Sequence, residues 1–123
     1  MLQWAWGISN FDWYCWDNSV GSPLSRAGYI TPTAAGIAYE QVVSWLRGAS
    51  MLSTSQGSDG TWTITLRRSD GSLEYAVWNV NGSTSFFIPA GWTVHSADDL
   101  SGSSAAVTGG TMTIGVEPRL LVP

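Results

Sequence analysis

The segment FDWYCWDN, residues 11–18, crowds aromatic rings, two carboxylates and the only cysteine of the chain into a short stretch. Two opposed carboxylates hydrolyse a glycosidic bond when they lie about 5–5.5 Å apart in retaining enzymes, or about 6.5–9.5 Å apart in inverting ones. Asp12 and Asp17 are five residues apart, which is about 17 Å along an extended strand, and they point to opposite faces of it. The sequence therefore excludes them as a catalytic pair within one strand.

The remaining glutamates offer no catalytic pair either. Glu40 falls in a predicted helix, Glu74 falls in a predicted strand, and Glu117 precedes a proline near the end of the sequence. Nothing in their spacing brings two carboxylates to one place.

His95 stands close to Asp98 and Asp99, a set that suits a metal site or a proton relay. No serine or cysteine nucleophile motif accompanies these residues, so HSADDLSG is interpreted as a polar loop between strands. Cys15 lies among aromatic rings, where a thiol is far more often inert packing than a nucleophile. With one cysteine and one histidine, a Cys/His zinc set is excluded, and the sequence predicts no cofactor.

The composition is typical of a single folded domain with few charged residues. Its 123 residues suffice for a single domain with a core, and 44% of them are hydrophobic while 11% are charged. The chain has no lysine and a net charge of −4, which argues against a nucleic-acid partner. No apolar run approaches the roughly 20 residues of a membrane helix, and the first residues lack the basic start of a secretory leader.

The first part of the chain predicts one strand and one helix. Residues 8–16 are apolar on both faces, as in a buried parallel strand. TPTAAGIAYEQVVSWLRG then predicts a helix with Thr31 as its N-cap and Pro32 at its first position, ending at Arg47 and Gly48. Its apolar stripe, which is expected to face a core, consists of Ala35, Ala38, Tyr39, Val42, Val43 and Leu46. A single strand–helix unit of this kind is typical of the end of a larger barrel.

The second part predicts an antiparallel β-sandwich over residues 60–123, joined to the first part by a linker over residues 51–59. TWTITLR alternates apolar and polar residues, LEYAVWN follows it after the turn at residues 69–72, and the turn residues between the segments predict hairpins. We expect one inward-facing set: Trp62, Ile64, Leu66, Val77, Ile114 and Val116. Trp78 and Trp92 are the residues that could be exposed as a sugar-binding platform. The predicted fold class is mainly β, a sandwich preceded by one βα unit.

Four segments in this order resemble the C-terminal end of bacterial (β/α)8-barrel glycoside hydrolases of the retaining type, in particular families 39 and 5. The segments are GISNFDWYCWDN, TPTAAGIAYEQVVSWLRGASM, TWTITLRRSDGSLEYAVWN and TIGVEPRLLVP. In those enzymes the eighth barrel strand ends in a tryptophan, the last helix follows, and a β-sandwich is appended. The resemblance implies that residues 1–50 are the terminal βα unit of such a barrel and that residues 60–123 are its accessory sandwich.

The same resemblance implies roles for three residues after the strand. Trp16 matches the aromatic residue that forms the floor of the sugar site, and Asp17 and Asn18 lie where side chains hydrogen-bond sugar hydroxyls. Asp17 and Asn18 also fit a plain turn, while Trp13 and Tyr14 fit barrel packing better than a site. Both catalytic glutamates of the family precede the region that this chain matches, so the chain is expected to be inactive alone.

Two functions therefore remain open. The first is the C-terminal portion of a glycoside hydrolase, which would meet its carbohydrate substrate through the parent barrel and would self-associate when isolated. The second is a stand-alone carbohydrate-binding or structural β-sandwich, whose N-terminal segment serves as an edge strand and a covering helix. The sequence itself leaves the localisation open, and the family resemblance implies a secreted or periplasmic parent.

Overall fold

The computed structural model describes residues 1, 3, 6, 23–25 and 31–123 of the chain. The described residues give the full extent of one helix, α1 (Ala34–Leu46), and of eight strands. The strands are β1 (Ser50–Gln56), β2 (Thr61–Arg67), β3 (Leu73–Asn79), β4 (Thr84–Phe87), β5 (Ser96–Asp98), β6 (Ser104–Ala106), β7 (Thr111–Ile114) and β8 (Arg119–Val122). The protein is thus mainly β, as the sequence predicts. No helix among the described residues is long and apolar enough to cross a membrane.

Two antiparallel sheets are formed by these strands. The larger sheet has six strands in the order β1-β2-β3-β8-β5-β6, and the smaller sheet pairs β4 with β7. The segments TWTITLR and LEYAVWN form β2 and β3, which are paired in unbroken register from Thr61 opposite Asn79 to Arg67 opposite Leu73. The hairpin prediction is confirmed for this pair. All neighbouring strands of the larger sheet run antiparallel.

The larger sheet is covered on both faces, and this corrects the predicted single core. Ile64 and Leu66 lie with Trp45 of α1 in one cluster, whose partly buried members include Trp62. Val77 and Ile114 lie in a second cluster, between the two sheets. The buried members of the first cluster are Trp45, Ile64, Leu66, Ala76, Trp78 and Leu120, and those of the second are Tyr75, Val77, Ala97, Ile114 and Leu121.

Strand register explains the separation of the two clusters. Ile64 pairs with Ala76, whereas Val77 pairs with Thr63, so Val77 points to the opposite face of the sheet. Val116 was predicted to face inward and is 62% exposed, because it follows β7 rather than continuing it. The alternating pattern correctly grouped Trp62, Ile64 and Leu66 on one face of the sheet, but it did not separate Val77 and Ile114, which lie in the other cluster.

Helix α1 begins two residues later than the sequence predicts. Its N-cap is Thr33, whose hydroxyl accepts a hydrogen bond from the Gly36 N–H at 3.1 Å. Thr31 cannot serve as the cap, because Pro32 is held in an extended bridge opposite Ser25. The predicted end is confirmed: Arg47 is the C-cap, and Gly48 follows with a φ of 71°, a value that favours glycine.

The buried face of the helix differs in part from the predicted stripe. Val42 and Leu46 pack against the sheet as predicted. The residue that is most deeply inserted is Trp45, which is 3% exposed and was not assigned to the stripe. The i, i+3 spacing of Val42 and Trp45 places both on the side that meets the sheet.

Residues 51–59 form part of the sheet rather than a linker. Most of them belong to β1, which pairs with β2, and a turn closed by the Gly57 N–H to Thr61 oxygen bond of 2.7 Å completes the hairpin. Their Ser and Thr content suits an edge strand, where side chains face water. The barrel strand predicted for residues 8–16 lies outside the described residues, so the division into a barrel unit and a sandwich stays a prediction.

Candidate functional site

The predicted sugar-binding residues, Trp16, Asp17 and Asn18, lie outside the residues that the structure describes. The same holds for the neighbouring segment 11–15, which contains the predicted packing residues and the cysteine. Their roles therefore remain predictions. The described structure begins again at Pro23, five positions after Asn18.

Residues 23–25 are fixed to the start of helix α1. The Thr33 hydroxyl donates a hydrogen bond to the Pro23 carbonyl at 2.6 Å, and the Thr33 N–H donates to the Leu24 carbonyl at 3.0 Å. Leu24 is 1% exposed. A Cβ atom at Gly36 would lie 1.9 Å from the Leu24 carbonyl oxygen, so only glycine allows this close approach. The chain that follows the predicted sugar site is thus held against the helix N-terminus.

The far end of the helix is fixed by an ion pair. The Arg68 guanidinium donates from Nε to Glu74 Oε2 at 2.7 Å and lies 2.5 Å from it through a second nitrogen. A third nitrogen donates to the Arg47 carbonyl at 3.2 Å, at the helix C-cap. Glu74 is 8% exposed, and its carboxylate is engaged in holding the helix to the sheet. This arrangement argues against a catalytic role for Glu74.

The other acidic candidates are not brought together. Glu40 and Glu117 are exposed, and neither has an ion-pair partner in the described part of the chain. Over the described ranges, no group of three or more His, Cys, Asp or Glu side chains is placed to hold a metal ion. The described residues therefore hold no second carboxylate opposed to Glu74.

The segment HSADDLSG combines a strand and a turn. Its first half, predicted to be part of a loop, contributes β5, and His95 precedes this strand with an exposed side chain. The His95 N–H and carbonyl both bond to neighbouring backbone, to the Val122 carbonyl at 2.8 Å and from the Val107 N–H at 2.9 Å. Asp99 begins the turn that follows. The backbone pairing of this segment explains why the loop prediction is wrong for residues 96–98.

Three aspartates, Asp59, Asp70 and Asp99, accept hydrogen bonds within turns. The carboxylate of Asp59 accepts from the Thr61 hydroxyl and N–H, and that of Asp70 accepts from the Ser72 hydroxyl and N–H. These bonds lower the pKa of Asp59 and of Asp70 below its ordinary value. Each carboxylate thus stabilises a tight turn through an Asx motif.

Asp99 repeats this arrangement in the turn after β5. Its Oδ1 accepts from the Ser101 hydroxyl and from the N–H groups of Ser101 and Ser103. The Ser101 hydroxyl is the first cause of the lowered pKa of Asp99, and the charge of Arg119 adds a smaller effect.

The tryptophans of the sheet do not form an exposed platform. Trp78 is 4% exposed, so its assignment as one of two exposed candidates is wrong; its ring stacks on Trp62 with a centroid separation of 5.8 Å. Trp92 is half-buried and stacks on Tyr75, with centroids 3.6 Å apart and planes 2° from parallel. In each pair one face of each tryptophan is stacked on another aromatic ring of the protein and is closed to a sugar.

Comparison with known proteins leaves the family open. The chain matches no family model, and it has no match among curated proteins.

Proposed function

We propose that this chain is the C-terminal portion of a glycoside hydrolase, which supplies a sugar-stacking residue and a supporting β-sandwich to a (β/α)8 barrel. The proposal rests on the order of a strand ending in WDN, a helix and an antiparallel sandwich, which resembles the end of such enzymes. Trp16 stacks against the sugar at the cleavage point, and Asp17 and Asn18 hydrogen-bond its hydroxyls. The catalytic carboxylates come from the rest of the barrel.

The observation that carries this proposal is the fixation of helix α1. Thr33 and Gly36 fix its start to residues 23–24, Trp45 inserts into the sheet core, and Arg68 holds its end. The helix begins 16 positions after Asn18, the last residue of the predicted sugar-binding segment. The sheet holds the helix through Trp45 and Arg68, and residues 23–24 hold its start. Such support is suited to keep a neighbouring site in place, because a small displacement of a substrate-positioning group reduces turnover strongly.

Isolated-chain activity is the first test. Glycoside cleavage needs an acid and an opposed carboxylate, and loss of the pair removes most of a rate enhancement of many powers of ten. The purified 123-residue chain is therefore expected to leave aryl glycosides uncut. Turnover abolished by replacing any one of Asp12, Asp17, Glu40, Glu74 or Glu117 would show that a carboxylate of this chain is catalytic and would refute the proposal.

The decisive test uses the coding sequence upstream of Met1. An in-frame barrel with an Asn-Glu pair after its fourth strand and a second glutamate on a later strand is expected there. In that parent enzyme, Trp16→Ala should lower kcat with the fold intact, whereas Phe87→Ala, which removes a ring that is 76% exposed on the small sheet, should leave kcat near its original value. An equal loss of kcat in both variants would show that Trp16 has no specific role in turnover.

A second candidate function is a stand-alone carbohydrate-binding or structural β-sandwich. It is favoured by one observation, namely that α1 covers a face of the large sheet and shares its core, as a covering helix of an independent module would. Sedimentation separates the candidates. A clean monomer that does not bind a hydrophobic dye favours the independent module, because a detached barrel strand would leave apolar surface exposed.

A further inference from the structure

The turn between β1 and β2 and the turn that follows β3 meet at the side-chain amide of Asn81. The amide nitrogen donates a hydrogen bond to the Asp59 carbonyl at 2.9 Å, and the Val80 N–H donates to the Gly60 carbonyl at 3.1 Å. A Cβ atom at Gly60 would lie 2.5 Å from the Asn81 amide nitrogen, so the two turns are in close contact. The Asn81 amide therefore joins one turn to the other.

Asn81 is followed by Gly82, and this pair favours a reaction between the side-chain amide and the backbone. The Gly82 nitrogen can attack the side-chain carbonyl carbon of Asn81, and a residue without a side chain hinders this approach least. A Cβ atom at Gly82 would meet no atom within 4 Å. The Gly82 N–H bonds to the Asn79 carbonyl at 3.4 Å, the longest of the backbone bonds in the described turns and loops. The attacking nitrogen is thus weakly held.

The folded structure slows this reaction but leaves it open. Asn81 is exposed, so water can reach the reacting carbon and ammonia can leave. Ring closure breaks the bond from the Asn81 amide to Asp59 and the long bond of the Gly82 N–H. Because each such bond contributes only modestly at an exposed site, the two together slow the reaction by about tenfold to a hundredfold.

We propose that Asn81 is a site of spontaneous deamidation and that this modification releases the joint between the two turns. The Gly82 nitrogen loses its proton to a base in solution and forms a bond to the side-chain carbonyl carbon of Asn81. The bond from that carbon to the amide nitrogen breaks, and ammonia leaves after taking up one proton, which balances the proton lost by Gly82. Water then opens the cyclic imide at either carbonyl and yields aspartate or isoaspartate. No group is oxidised or reduced.

The product cannot make the bond that holds the two turns together. The Asn81 amide donates to the Asp59 carbonyl, whereas an ionised carboxylate only accepts hydrogen bonds. The joint loses a bond and gains a repulsion between two oxygens. Strand β1 pairs with β2 alone among the described strands, so the turn that connects them supports the edge of the sheet. This inference is independent of the proposed function.

Peptide mapping by mass spectrometry tests the modification after incubation of the purified 123-residue chain in mildly alkaline buffer. The exchange of NH for O is expected at Asn81, about tenfold to a hundredfold more slowly than in a synthetic peptide of residues 80–86. The rate should rise with pH, because more of the Gly82 nitrogen is then deprotonated.

Asn79 is the internal control for this experiment. Its amide donates to the same Asp59 carbonyl at 3.1 Å, but the residue is 3% exposed and precedes Val80. It is expected to stay unmodified. An Asn81 that is still intact after far more than about a hundred half-lives of the peptide, or equal conversion at Asn79, would overturn the proposal.

Three variants test the release of the joint. Asn81→Asp reproduces one product and is expected to lower the urea midpoint more than Asn81→Ala, which removes the donor without placing an oxygen against Asp59. Ser83→Asp adds the same charge at an exposed position two residues further on and should change the midpoint little. Hydrogen exchange of the β1 amides should become faster in Asn81→Asp than in Ser83→Asp. Equal midpoints and equal exchange in these two variants would show that the Asn81 amide joins nothing and would refute this part of the proposal.

Discussion

At the scale of single residues, the charged side chains of the described structure hold turns and a helix end. Asp59, Asp70 and Asp99 each accept hydrogen bonds from a Ser or Thr two residues further on. Glu74 is paired with Arg68 between the helix and the sheet. Hydrogen bonds lower the pKa values of the three aspartates, which is the opposite of what a general acid needs at neutral pH. These four carboxylates are therefore engaged in holding turns and a helix end.

Removal of Arg68 is expected to destabilise the protein strongly. Arg68→Ala leaves the Glu74 carboxylate, at 8% exposure, without its cation and frees the Arg47 carbonyl, and breaking such a pair costs about 3 kcal/mol. Urea unfolding should show the loss. Arg67→Ala, one position away and exposed, is the control, and its change should stay within about 0.5 kcal/mol. The double variant Arg68→Met with Glu74→Leu should recover much of the stability, because neither charge remains buried.

Acid should weaken the protein through its three turn aspartates. Hydrogen bonds lower the pKa values of Asp59, Asp70 and Asp99 in the folded state. Their contribution to stability is therefore present above the unfolded pKa of about 3.9 and is lost as the pH falls through the lower folded values. The urea concentration at the unfolding midpoint is expected to stay constant from neutral pH to about pH 5 and to decrease once the pH is lower than about 4. The triple Asp→Asn variant should show a smaller fall, and an identical pH profile would contradict the assignment.

At the scale of elements, the start of α1 gives a direct comparison of sequence and structure. Thr33→Ala removes the cap and the bond to Pro23, and loss of a threonine cap costs about 1 kcal/mol or more. Thr31→Ala changes an exposed residue outside the helix and should alter the free energy of unfolding little. Thr33→Ser keeps the hydroxyl and should retain most of the stability. If urea unfolding shows a larger loss of stability for Thr31→Ala than for Thr33→Ala, Thr31 is the N-cap, as the sequence predicts.

The hairpin of β2 and β3 could be predicted from sequence because its pattern is local. The β2 segment alternates apolar and polar residues, and a turn with Asp70 and Gly71 joins it to the β3 segment; the φ of 88° at Gly71 favours glycine. Strand β1 was missed because an exposed edge strand rich in Ser resembles a linker in composition. The cap of α1 was misplaced because the bridge between Ser25 and Pro32 joins parts of the chain that local signals do not connect.

The separate core of Val77 and Ile114 could not be predicted from local patterns. It forms where β3, β5 and β8 of the larger sheet face β4 and β7 of the smaller sheet, and this approach depends on the strand order of the whole larger sheet. The sugar site predicted at residues 16–18 depended on a family resemblance, and these residues lie outside the part of the chain that the structure describes.

At the scale of the whole molecule, the surface combines low charge with exposed apolar side chains. Trp6, Phe87 and Val116 are 68%, 76% and 62% exposed. Strand β1 is an edge of the larger sheet, spans seven residues and contains no charged residue or proline. Edge strands usually carry charges, prolines or bulges that prevent pairing between molecules, and β1 has the bulge alone, between Met51 and Ser53. The net charge of −4 gives modest repulsion between copies.

The isolated chain is therefore expected to self-associate at micromolar concentration, and the position of the contact can be tested by two substitutions. Ser55→Lys places a charge on the exposed edge strand β1 and should raise the monomer fraction in sedimentation velocity if copies pair through this edge. Phe87→Ser removes the most exposed large apolar side chain among the described residues. It should raise the monomer fraction if copies associate through the small sheet. Association that neither variant reduces would indicate that copies meet through the segment around Trp16, because a strand that lacks its barrel neighbours is the remaining apolar surface that the sequence predicts. A monomer at all these concentrations would contradict the expectation and would favour the independent β-sandwich over the enzyme fragment.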